Sequence, residues 1–152
     1  MPRDARLKAA DAFWRDADSP SIEVQHAEAV NLIARRLKFR VQSVFALPVE
    51  RRAKYLAELP DLSDTLATRA LIAYHFEHQR PLMGAFLDAL GIAHENGLIT
   101  ADDVSAPGRD RLAKAVDALR GTFETSDVDL YLRTLAALDG DTWRAVEEVL
   151  PA

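Results

Sequence analysis

The side chains best suited to chemistry are the four histidines and the carboxylates near them. His75 and His78 are three residues apart, a spacing that puts both imidazoles on one side of a helix, and Glu77 lies between them in sequence. His94 and Glu95 follow after one further expected helix. Three imidazoles and a carboxylate suit zinc or another borderline metal, and a metal-bound water is a nucleophile at neutral pH. His75, His78 and His94, with Glu77 or Glu95 as ligand or general base, therefore form the candidate centre of a metal-dependent enzyme. A plainer role competes with it. His75, His78 and Arg80 also fall in the last turn of an expected helix, where cationic donors meet orphan carbonyls and the negative dipole end.

Other constellations are incomplete. Glu23 and His26 have the Glu-x-x-His spacing of di-iron helical bundles, but no second such pair exists in the chain. Residues 92–103 place Asn96, Gly97, Ile99 and Asp103 where a calcium loop would have its fifth, sixth, eighth and twelfth positions. The first position is Ile92 and the third His94, so the aspartate ligands such a loop opens on are missing. The same stretch fails as a helix-turn-helix, because Glu95, Asp102 and Asp103 would face DNA phosphates. The glycines stand singly and cradle no phosphate, and no serine lies in a nucleophile-elbow context. With no cysteine, thiolate metal sites, iron–sulfur clusters and thiol nucleophiles are excluded. No cofactor is expected.

Charge carries more information. Residues 1–60 hold 11 basic and 8 acidic side chains, and residues 61–152 hold 8 basic and 16 acidic, so a net +3 segment precedes a net −8 one. The cations concentrate in Arg35, Arg36, Lys38 and Arg40, then in Arg51, Arg52 and Lys54, and Phe39 sits within the first cluster. Arginine interleaved with an aromatic can grip an acidic protein surface or a nucleic acid. Arg35, Arg36, Phe39, Arg40, Arg51 and Arg52 are thus the candidate contact residues of an interaction or scaffolding module with an unidentified protein partner, acidic at the contact. The plainer alternative pairs these cations with the acidic half of the chain. A net charge of −5 argues against general nucleic-acid binding. The first residues carry both charge signs without an apolar core of the signal-peptide kind, and no apolar run approaches the ~20 residues of a membrane span. A cytoplasmic location without a membrane partner is expected.

The elements that must hold these residues are helices. Apolar residues recur at helical spacing, and 49% of the 152 residues are apolar, enough for one core. Pro20, Pro48, Pro81 and Pro107 mark helix starts, while Pro60 and Pro151 mark stops. Asp61 or Ser63 is an expected cap, Gly91 with Ile92 an expected glycine C-cap, and Asp141 the cap of a last short helix. Thr100 and Asp103 suggest a further single turn. The pattern predicts an all-α fold in one domain over 1–152, an irregular or partly orthogonal bundle of seven to nine helices. Its spine would be a second helix over 20–46 that buries Ile33, Leu37, Val41, Val44 and Phe45.

Overall fold

The computed structural model describes residues 2–19, 21–60 and 62–150. Pro20, expected to start a helix, Asp61, an expected cap, and Pro151, an expected stop, lie outside the described residues. Those residues form an all-α protein of nine helices and one short hairpin. The chain divides into two compact units, Met1–Tyr74 and His75–Ala152. No helix among the described residues is long and apolar enough to cross a membrane.

The first unit contains α1 (Arg3–Arg15), α2 (Ile22–Leu37), α3 (Val41–Phe45), α4 (Val49–Glu58) and most of α5 (Asp64–His78). Helix α1 packs along α4, and the alanines at 9, 10, 12 and 53 allow the close approach, each being buried. Phe13, Val30, Ile33 and Val44 are wholly buried in this unit. Helix α4 begins directly after Pro48, as the missing N–H and fixed φ of proline favour.

The expected second helix is two helices. Lys38 adopts a left-handed conformation (φ 57°) and the Phe39 N–H returns to the Ala34 carbonyl at 2.9 Å, which closes α2. Arg40 is extended and opens α3. The chain therefore turns a corner where continuous helix was expected. Val44 remains buried, but Val41 and Phe45 are exposed. Neither Lys38 nor Arg40 is a helix breaker, and the spacing of Leu37, Val41 and Val44 fits one helix as well as two.

The second unit contains the end of α5, α6 (Arg80–Ala89), β1 (His94–Glu95), β2 (Leu98–Ile99), α7 (Arg109–Arg120), α8 (Thr125–Leu138) and α9 (Val146–Val149). Helix α7 is its centre, meeting α6, α8 and α9. Its core joins Leu82, Phe86 and Leu87 to Leu112, Val116, Leu132 and Trp143. Gly91 (φ 68°) ends α6 as expected, with its own N–H on the Asp88 carbonyl and the Ile92 N–H on Leu87.

Two expectations in this unit are corrected. No helical turn forms at Thr100; residues 94–99 are an antiparallel hairpin with Glu95 opposite Leu98. Asn96 (φ 50°) and Gly97 (φ 88°) form its two-residue turn, the doubly positive geometry that Asn-Gly favours. After α8 the capping carboxylate is Asp139 rather than Asp141. It accepts the Thr142 N–H at 3.1 Å, and the Thr142 hydroxyl, then this N–H and that of Asp141, hold its carboxyl below the usual range.

Candidate functional site

The histidines are dispersed into separate structural roles. His75 is buried against the Tyr131 ring, with centroids 5.3 Å apart, and burial pushes the Tyr131 phenol well above its ordinary pKa. His78 and Glu77 are exposed near the end of α5. His94 accepts the Gly97 N–H on Nδ1 at 3.1 Å, which leaves the ring proton on Nε2 to be donated to the Asp88 carboxylate at 2.7 Å. Both nitrogens of His94 are thus engaged in holding the hairpin on α6. Among the described residues no three His, Asp or Glu side chains gather as a metal ion would require. His75, His78, His94, Glu77 and Glu95 are accordingly not assembled into a centre. His26 serves α1: its Nε2 donates to the Phe13 carbonyl at 2.6 Å, one of the orphan acceptors of the last turn, and its ring meets Phe13 edge-on.

The basic residues separate into two groups. Arg52 is half-buried and lays its guanidinium over the Trp14 ring, 5.0 Å from the centroid. Its position follows from the packing of α1 on α4, and it covers a buried ring of the first unit. Arg51, next in sequence and on another side of α4, is exposed and reaches the Tyr55 hydroxyl at 3.4 Å. Arg35, Arg36 and Arg40 are exposed, and none takes part in an ion pair among the described residues. The expected pairing of these cations with acidic residues is not seen for them.

The α2–α3 corner sets three apolar side chains among those cations. Phe39 is 45% exposed, Val41 38% and Phe45 50%. Val41 and Phe45, four apart, share one face of α3, and Phe39 and Val41 line a shallow depression with Asn31, Ala34 and Arg35. Sequence reasoning found Phe39 and missed Val41 and Phe45, which an unbroken helix would have buried. On another face of α2, Ile33, Arg36, Leu37, Tyr55, Glu58 and Leu59 line a cavity of about 210 Å³. That is below the ~300–1,000 Å³ of ordinary small-molecule sites.

Compared with protein-family models, curated proteins and solved structures, the chain matches none.

Proposed function

We propose that this protein is a cytoplasmic interaction module without catalytic activity of its own, binding a protein partner that is acidic at the contact. The contact is the α2–α3 corner. The observation that carries this reading is the exposure of Phe39, Val41 and Phe45 beside Arg35 and Arg40, cations that no carboxylate neutralises among the described residues. Aromatic and arginine side chains dominate the energetics of protein interfaces, and apolar area left in water forgoes ~25 cal/mol per Å² until something covers it. Arg36, on another face of α2, and Arg51, beside Tyr55 on α4, are exposed but are not part of this contact, whereas Arg52 acts on the fold through Trp14.

Photo-crosslinking from position 39 in the native cell tests this reading. A photoreactive phenylalanine there is expected to trap a discrete protein, and Arg35→Glu with Arg40→Glu is expected to abolish the adduct. The same probe at Val24, the most exposed of the large apolar residues among those described, is the control. Identical adducts from positions 24 and 39, or an adduct indifferent to charge reversal, would reject the corner as a specific contact. An adduct to nucleic acid in place of protein would reject the partner class.

A further inference from the structure

The second unit carries a feature complementary to the corner. Leu98, in β2, is 51% exposed although it is a large apolar residue at a strand position. Glu95 stands opposite it in the hairpin, and Asp102 and Asp103 follow within five residues. All three carboxylates are exposed, and none takes part in an ion pair among the described residues. An apolar tip with exposed carboxylates opposite and just after it in the chain is the chemical counterpart of an apolar corner with exposed guanidinium groups beside it. The charges of the units agree: residues 1–74 hold 12 basic and 10 acidic side chains (net +2), and residues 75–152 hold 7 and 14 (net −7).

The hairpin is also held ready. Two strands of two residues each are marginal on their own. This pair is fixed by His94 on Asp88 and by the Arg80 guanidinium, which donates to the Asn96 carbonyl at 2.8 Å. Gly97 packs on Met83, so closely that a Cβ added there would lie 2.9 Å from the Met83 Cβ. A tip already rigid loses little freedom when it docks, which removes one of the main costs of association.

We infer that the acidic partner of the α2–α3 corner is a second copy of this chain, whose β1–β2 hairpin supplies Leu98 to the corner and its carboxylates to Arg35 and Arg40. This inference rests on the interaction reading above and names the partner. The contact joins two different patches, so it is head-to-tail, and a joined pair keeps one free corner and one free hairpin for further copies unless a ring closes.

Sedimentation of the intact protein over a range of concentrations tests it. In low salt the weight-average mass is expected to rise with concentration. At about 1 M salt, where screening shortens to about 3 Å, association should weaken at least about tenfold. A corner variant (Arg35→Glu, Arg40→Glu) and a hairpin variant (Glu95→Lys, Asp102→Lys) should each stay monomeric. Mixed in equal amounts they should associate again, since each then faces opposite charge on the other. This rescue also shows that both variants are folded. A wild-type protein that stays monomeric in low salt, or variants that do not rescue each other, would overturn the inference. So would binding of the corner to anionic vesicles or to single-stranded RNA while the mass remains that of a monomer. If the protein is monomeric yet position 39 still traps an acidic protein of another kind, the second-copy inference falls and the interaction reading stands. If position 39 traps nothing, both fall.

Discussion

Arg51 and Arg52 are adjacent and carry the same charge, yet they occupy different physical situations. Arg52 covers the Trp14 ring with its guanidinium, and its stem is half-buried. Arg51 stands in solvent beside Tyr55. Arg52→Ala should therefore cost about 1–2 kcal/mol through the lost cation–π contact and lost stem packing. Arg51→Ala should cost less than about 0.5 kcal/mol, as surface changes do. Urea melts of the two variants check this, and equal losses would contradict the placement of Arg52 over the ring. Asp16 offers a test by pH. Burial pulls its pKa up, but hydrogen bonds from the Ser19 hydroxyl and from the Asp18 and Ser19 N–H groups, with the Arg69 charge, outweigh it and hold the carboxyl below 3.8. A carboxyl lowered on folding stabilises the fold above its unfolded pKa, and that stabilisation is lost as pH falls through the folded value. Asp16→Asn should thus destabilise the protein at neutral pH, with the gap to wild type closing below pH about 4. A gap that stays constant down to pH 2 would show that the charged form is not what those donors favour. Neither arrangement was legible beforehand. The sequence singles out Phe39 and the arginine cluster, but a ring–cation pair joining residues 14 and 52 depends on how α1 meets α4, which local spacing does not encode.

The helices follow from periodicity and punctuation far better than the breaks between them. Helix α7 occupies Arg109–Arg120, as its apolar stripe and the following Gly121 predict, and α6 closes on Gly91 and Ile92 in the expected way. What escaped was the corner at Lys38, a residue with ordinary helix propensity that is nevertheless left-handed here, and with it the exposure of Val41 and Phe45. The hairpin escaped for a different reason. Its Asn-Gly turn is readable, but two residues per strand are too few for an alternating pattern to register. The altered course of α2 changes what its mutants should do. Ile33 is wholly buried and its truncation to alanine should cost about 2–5 kcal/mol. Leu37 sits at the end of α2 on the wall of an open cavity, so Leu37→Ala should cost only about 1–2 kcal/mol, and Arg36→Ala under about 0.5. Melts that ranked Leu37 with Ile33 would mean that α2 continues past Lys38. In the hairpin, Gly97→Ala meets two obstacles, a positive φ and the nearby Met83 side chain, and should cost about 1–3 kcal/mol. Asn96→Gly, at a left-handed position that glycine accepts without strain, should be close to neutral. Thermal midpoints of the pair decide it, and a Gly97→Ala protein as stable as wild type would contradict the turn geometry.

At the scale of the whole molecule, the charge division and the two compact units coincide closely: the basic excess belongs to the unit with the exposed aromatic corner, and the acidic excess to the unit with the clamped hairpin. Composition made the division visible, but which of its side chains remain uncompensated depends on the folded arrangement. The same partition distributes the two tryptophans of the chain one to each unit, Trp14 in the first and Trp143 in the second, both buried. The protein therefore carries an intrinsic fluorophore in each half, and their surroundings differ: a guanidinium over one, the Phe86 ring 5.6 Å from the other. Replacing either with phenylalanine leaves a single tryptophan, so urea titrations of the two variants, excited where tyrosine does not absorb, give two records, each local to its own unit. The Ile33→Ala shift is expected in the record read from Trp14, and its absence there would mean that these two side chains do not unfold together.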